Sequence, residues 1–194
     1  MQTPKILVFA GSIRSGSHNA RLAGYMAKQL ALADTEVTHV SLADYPMPIY
    51  DGDLEAEEGV PENAKRLKKL MTKQHGVFIA SPEYNSSITP LLKNTIDWIS
   101  RLSDDGEPPS AAFKNRVFAV GGASPGRFGG MRSLITLRTI LEIGVGALVI
   151  PNMVSVPEAK SAFDEHGNLK EGPARNAAAA ATARLIEEAS LRAT

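Results

Sequence analysis

The stretch "VFAGSIRSGSHNARLA" (residues 8–23) decides how this chain is read. An apolar run stops at Gly11, then Ser12, Arg14, Ser15, Ser17 and Asn19 crowd a short loop. From Asn19 onward Leu22, Ala23, Met26, Ala27 and Leu30 fall on one helical face. A buried strand that hands over to a helix through a polar loop is the opening of a β–α unit. The remaining sequence either repeats that unit or does not, and the loop either serves a ligand or merely caps a helix.

The unit repeats. Apolar, β-branched runs recur at 5–10, 35–42, 76–81, 116–120 and 146–151. Four are nearly continuous in apolar residues, as expected of strands covered on both faces, whereas 35–42 alternates and reads as an edge strand. Helical spacing fills the gaps. Val60, Ala64, Leu67 and Met71 form one stripe, with Pro61 in the first turn. Thr89 reads as an N-cap, Pro90 as the first helical residue, and Leu92, Ile96 and Ile99 as a core face. Residues 130–143 align Leu134, Leu137 and Leu141 ahead of Gly144 as a C-cap, and an alanine-rich helix covers 173–191. Five strands alternating with five helices give an α/β fold, a doubly wound parallel sheet with helices on both faces. At this length the flavodoxin-like strand order is the natural one, in a single domain spanning 1–194. The polar segment 103–112 reads as a surface loop.

Composition removes several function classes. Lys+Arg and Asp+Glu both number 21, so no net positive charge is available to bind nucleic acid or an anionic membrane. There is no cysteine, hence no disulfide, thiolate nucleophile or cysteine metal site. The start "MQTPKILVFAGS" has too short an apolar run for a signal peptide, and no window approaches the roughly 20 apolar residues of a membrane span. The expectation is a cytoplasmic protein.

Sheets of this kind bind ligands beyond the carboxyl ends of their strands, which selects the loops after residues 10, 81 and 120. In the first, helix-start amides, Ser12, Ser17 and Asn19 offer neutral donors, and Arg14 offers a fixed cation able to grip a phosphate. A P-loop is ruled out because Ser17 and His18 stand where lysine and a hydroxyl residue belong after Gly16. A dinucleotide fingerprint lacks its middle glycine, and a phosphatase loop lacks its cysteine. The alternative is plain N-capping by Ser17 or Asn19 beside a solvated arginine. His18 contributes through its backbone N–H whatever its side chain does.

The second loop, "PEYNSS" (82–87), combines a stiff Pro82 with free polar groups at Asn85, Ser86 and Ser87 and the aromatic plane of Tyr84. That suits a flat heteroaromatic ring, or else a simple turn carrying a surface tyrosine. Glu83 has no partner that would make it a general base. The third loop, 121–131, carries five glycines and either lets backbone approach a ligand or is flexible. Asp97 and Trp98 read as structure, with Lys93, Asp97 and Arg101 spaced to build a salt-bridged face or an interface. His39 and His75 have no partner motif for metal ligation.

Taken together, "GSIRSGSHN" resembles the G-S-x-R-x-x-S-x-N loop of the NADPH-dependent FMN reductase family. "PEYNSSITPLLKNTIDWIS" is similar to that family's second signature, and "EEGVP" is also familiar from it. The resemblance covers residues 4 to about 155 and is nearest to quinone and chromate reductases. It implies noncovalent FMN, with Ser12, Arg14, Ser17, His18 and Asn19 around the phosphate. It further implies that Pro82, Glu83, Tyr84 and Asn85 border the ribityl chain and ring, with Ser124 a further contact. NADPH or NADH would be the co-substrate, and a quinone, another flavin, chromate or an azo compound the acceptor. The implied assembly is a dimer or tetramer, in which Arg127 and Arg132 face a neighbour or the pyridine nucleotide. With the chemistry resident in the flavin, no catalytic acid, base or nucleophile is expected in the chain. An electron carrier or a flavin-binding regulator without reductase activity is the competing reading, and zero net charge speaks against the acidic docking face of a carrier.

Overall fold

Residues 2–103 and 108–193 are described by the structure, a computed structural model. The strands β1 (Lys5–Ala10), β2 (Glu36–Val40), β3 (Gly76–Ala80), β4 (Val117–Ala123), β5 (Leu148–Val149) and β6 (Val154–Val156) form one sheet. Its order is β2-β1-β3-β4-β5, with β6 also paired to β4, and every pairing is parallel. This is the flavodoxin-like order expected from the sequence. The chain leaves β1 toward β2 and then returns across β1 to β3, so the loops after β1 and β3 meet where the winding reverses.

Period-2 alternation divides the core. Ile6, Val8 and Phe78 face α1 (His18–Leu32) and α7 (Pro173–Ser190), where Leu22, Met26 and Leu185 cover them. Leu7, Phe9 and Ile79 point the other way, onto α3 (Glu62–Thr72), α4 (Pro90–Arg101) and α6 (Met131–Thr139). Both faces are buried, which is why the central strands read as unbroken apolar runs. The partly exposed β2 is the edge strand its alternation predicts.

Several boundaries differ from the sequence reading. The expected strand 146–151 is a two-residue pairing at Leu148–Val149, after which Ile150 donates to Phe118 O (2.8 Å) and Pro151 supplies no N–H. The chain then rejoins β4 further along as β6, opposite Gly121–Ala123. Accordingly β4 runs three residues past the expected end at Val120, and Gly121 and Gly122 belong to the strand rather than to a loop. α6 does not end on Gly144. It widens into a π turn over Ile140–Gly144, capped by Val145, and the left-handed position is Gly146 (φ 70°). Pro61 is the N-cap of α3, one residue before the helix.

Two short helices were not anticipated. α2 (Gly52–Glu58) is capped by Asp51, which accepts from Asp53 N–H at 2.8 Å, and ends on Gly59 (φ 76°). α5 (Ala111–Lys114) occupies part of the expected surface loop 103–112, whose residues 104–107 lie outside the described residues. Thr89 and Pro90 start α4 as expected. On that helix Trp98 donates to Pro48 O (2.8 Å) and Asn94 pairs with Tyr50 N–H and Pro48 O, so this signature segment anchors the 48–50 strap. Lys93 and Asp97 form the expected ion pair, whereas Arg101 reaches Glu55 on α2 instead of Asp97.

Candidate functional site

The first loop is fastened at its base. Gly11 N–H donates to Ala80 O (2.9 Å), and Thr89 Oγ1 donates to Gly11 O (2.7 Å) while accepting Leu92 N–H (3.1 Å). One threonine thus caps α4 and pins the loop. A Cβ on Gly11 would lie 3.0 Å from the Leu92 side chain, a contact tight enough that Leu92 would have to shift by a few tenths of an ångström. Gly16 turns the chain at φ 67°, and Ser17 then caps α1 by accepting Ala20 N–H (3.3 Å). The first-turn amides of His18 and Asn19 have no intrahelical acceptor and mark the positive end of the helix dipole.

Side chains around this helix start fall into two groups. Arg14 is exposed, and among the described residues its guanidinium donates only to its own loop carbonyls, Ser15 O (3.1 Å) and Gly16 O (3.3 Å), while Ser12 Oγ accepts the Arg14 backbone N–H (3.3 Å). These are contacts an incoming anion can replace. Asn19 is different. It is buried, its Nδ2 donates to Ala123 O and its Oδ1 accepts Ala123 N–H, both at 2.9 Å. Its amide is committed to the end of β4, so the phosphate contact implied for Asn19 reduces to its backbone. The Nδ1 atom of His18 is buried without a hydrogen-bond partner. Burial, and then the charges of Arg14, Arg21 and Lys160, hold its imidazole below the usual histidine range.

In the second loop Tyr84 and Ser87 exchange backbone hydrogen bonds (2.9 and 3.0 Å) around Asn85 (φ 50°) and Ser86 (φ 67°). Two successive positive φ angles are the mark of a tight hairpin turn, which asparagine tolerates better than most residues. Asn85 is therefore the tip of the turn, and it projects Tyr84, which is 51% exposed. The Glu83 carboxylate is paired with Arg132 and also accepts Arg132 N–H (3.2 Å) at the start of α6. It braces the second loop against the third.

The third loop packs rather than flexes. Its glycines bring backbone against β6: a Cβ on Gly129 would fall 2.3 Å from Ser155 Oγ, and Gly129 has φ 57°. Ser155 Oγ donates to the carbonyls of Phe128 and Gly129 (3.3 Å each), and Ser124 N–H donates to Val156 O (3.1 Å). Phe128 lies exposed, with the guanidinium groups of Arg127 and Arg132 at 5.0 and 5.3 Å from its ring centroid.

These pieces enclose a cavity of about 300 Å³. Ser12, Arg14, Ser17, His18 and Asn19 form one wall, Pro82, Glu83 and Tyr84 a second, and Ala123, Ser124 and Pro125 a third. Asn85 is the single predicted site residue that does not line it. Lys160, which no sequence argument singled out, does. It arrives from the turn after β6, a strand the periodicity did not reveal.

A family model described as NADPH-dependent FMN reductase matches residues 4–161. The chain belongs to this family. It is 35% identical over 173 residues to the NAD(P)H-dependent FMN reductase of Pseudomonas aeruginosa, covering 88% of this chain and 87% of that protein. It is also 37% identical over 138 residues to the quinone reductase of Escherichia coli, covering 71% and 69%. Among solved structures, the flavoenzyme NAD(P)H:(acceptor) oxidoreductase of Paracoccus denitrificans superposes with a TM-score of 0.78 at 25% identity, over 98% of this chain and 99% of that one. The protein is accordingly an oxidoreductase that uses FMN as cofactor and NAD(P)H as co-substrate. The cavity fits such a group: the free helix-start amides, the exposed Arg14 and Lys160, the orphaned His18 Nδ1 and the Tyr84 turn all belong to its lining. Among the described residues no helix is long and apolar enough to cross a membrane.

Proposed function

We propose that this chain, working as one domain over residues 1–194, holds FMN in the three-loop cavity and reduces quinones and related small-molecule acceptors at the expense of NAD(P)H. The observation that carries the reading is that one cavity is lined both by an anion cradle at the α1 start and by the aromatic turn at Tyr84. Bound FMN supplies the redox chemistry, taking a hydride from the pyridine nucleotide and giving electrons to the acceptor.

The chain's own contribution is binding and orientation. Ser12, Arg14, Ser17 and the amides of His18 and Asn19 take the phosphate. Backbone groups of Pro82, Glu83, Tyr84 and Asn85 would border the ribityl chain and ring, with the Glu83 and Asn85 N–H groups as the donors there, since Pro82 has none and the Tyr84 N–H is held by Ser87 O (2.9 Å). Ser124 adds a contact from the third loop. Tyr84 is half exposed, which leaves the ring's outer edge open to acceptors of varied shape. The quinone reductase relatives support quinones as one such class.

Stopped-flow mixing of the FMN-loaded protein with NADPH tests the reading. Rapid loss of the oxidised-flavin absorbance, followed by its return on adding a benzoquinone, is expected. A flavin that stays oxidised for minutes overturns it.

The same reading places the protein in the cytoplasm, where reduced pyridine nucleotide is available, and makes it a homo-oligomer of two or four copies. Support for assembly comes from Phe128, Ile135 and Ile143, which are 54%, 56% and 83% exposed along the third loop and the α6 region. A monomer mass by light scattering at micromolar concentration would remove that part.

A further inference from the structure

We propose that Lys160 is a second cation of the phosphate cradle, delivered by the turn after β6, and that with Arg14 it makes the pocket select phosphorylated flavin over riboflavin. The inference rests on the FMN reading above.

Its position is fixed by backbone. Ser124 N–H donates to Val156 O (3.1 Å), Ala159 N–H donates back to Ser124 O (3.0 Å), and Glu158 N–H donates to Gly126 O (3.3 Å). Ser161 and Ala162 N–H then close on Glu158 O (2.9 and 3.2 Å), in a turn that starts at Glu158 with φ 49°. Ala159 is wholly buried, and Lys160 beside it is exposed on the cavity wall with Arg14, Ser17 and His18. The lysine therefore rides on a turn clamped to the third loop and does not wander on a tether.

Charge balance supplies the second argument. A phosphate monoester carries about −1.5 to −2 charges at pH 7. Arg14 offsets one of these, and His18 is a poor source of a second positive charge because burial and the charges of Arg14, Arg21 and Lys160 hold its imidazole below the usual histidine range. The cavity's carboxylate, Glu83, is held by Arg132 and so does not compete for a cation. Among the described residues Lys160 makes no ion pair or hydrogen bond, so its ammonium is available to a ligand. With it the cradle matches a dianion.

Fluorescence titration of the protein with FMN and with riboflavin, at low ionic strength, tests this on wild type, Lys160→Met and Lys160→Arg. Loss of one charge-assisted contact should weaken FMN binding by about tenfold or more in Lys160→Met while riboflavin binding stays within about twofold. Lys160→Arg should restore most of the FMN affinity. Lys160→Met binding FMN as wild type does, or losing riboflavin to the same extent, overturns the proposal. Wild type that binds neither flavin would instead overturn the reading of the site itself.

Discussion

Asn19 and Ala123, 104 positions apart, exchange two hydrogen bonds of 2.9 Å between one side-chain amide and one backbone unit. The reason lies in the sheet. Gly121 O faces β3 and accepts Ser81 N–H (2.7 Å); two residues on, the same edge of β4 extends past the end of β3. The Asn19 carboxamide stands in for the missing strand and joins the first loop to the third.

Asn19→Ala should therefore act on folding as well as on the cofactor. It leaves a buried N–H and a buried C=O without partners, at about 1–3 kcal/mol each. A loss near 2–4 kcal/mol in urea unfolding of the flavin-free protein is expected, with a fall in Tm of roughly 5–15 °C. An unchanged urea midpoint would show that Asn19 does not bridge the loops.

Arg14→Ala should do the reverse. The side chain is exposed, and among the described residues its hydrogen bonds go only to the Ser15 and Gly16 carbonyls, so the fold loses little. The cradle loses a charge-assisted contact, and FMN affinity should drop about tenfold to a hundredfold with the urea midpoint unmoved. Equal FMN affinity in wild type and variant, by fluorescence titration, would remove Arg14 from the cradle.

These two variants show how far the sequence could be read. Ser17, Arg14 and Asn19 were all legible as residues of a helix start at the ligand end of a sheet, because strand periodicity and capping are local signals. What each side chain does there is a matter of long-range pairing. Nothing in "GSHN" announces that Asn19 reaches Ala123, or that Glu83 is spoken for by Arg132. The same limit hid β6 and Lys160, since Val154–Val156 is too short to carry a period and becomes a strand only against Gly121–Ala123. The glycines of the third loop were read by density alone, and their close approach to Ser155 needed the partner strand in view.

Glu83→Gln separates a brace from a base. Removing a general base costs about 10²–10⁴-fold in rate. Glu83 is held by a half-exposed Arg132, an arrangement whose loss costs on the order of 1 kcal/mol. Flavin reduction by NADPH should accordingly slow by less than about tenfold, with an unchanged pH profile. A hundredfold fall, or a lost pH limb, would reinstate Glu83 as a proton carrier.

Acid should weaken the flavin-free fold through its histidines. Burial holds His75 below the ordinary value, with the charges of Lys5 and Arg116 adding to it, and its Nδ1 accepts Lys5 N–H (3.0 Å). His18 is lowered in the same sense. Because the folded pKa values lie beneath the unfolded one of about 6.5, the unfolded chain takes up these protons first. Stability is therefore complete above about pH 6.5 and declines as pH falls from there toward the depressed folded values. Urea midpoints at neutral and mildly acidic pH should show the decline, and His75→Asn, which can still accept from Lys5 without titrating, should lessen it. A midpoint rising on acidification would contradict the sign.

Gly129→Ala tests whether the third loop is a packed wall of the site. The added methyl meets Ser155 Oγ at 2.3 Å, Pro157 N at 2.8 Å and the Val156 carbonyl carbon at 2.9 Å, on a residue at φ 57°. Two of these three atoms are backbone, so no rotamer change relieves the contact; the loop must lift from β6. The lift would drag Ser124 and the turn bearing Lys160, which are stitched to the same strand end through Val156 O and Ser124 O. FMN affinity should fall along with thermal stability, by about 1–3 kcal/mol in the latter. Ser155→Ala in the Gly129→Ala background removes one of the three clashes, yet it should recover little because the backbone contacts persist. Full recovery in that double variant would show that the hydroxyl alone sets the spacing, and a Gly129→Ala protein with native Tm and native FMN affinity would show that the loop is free to move.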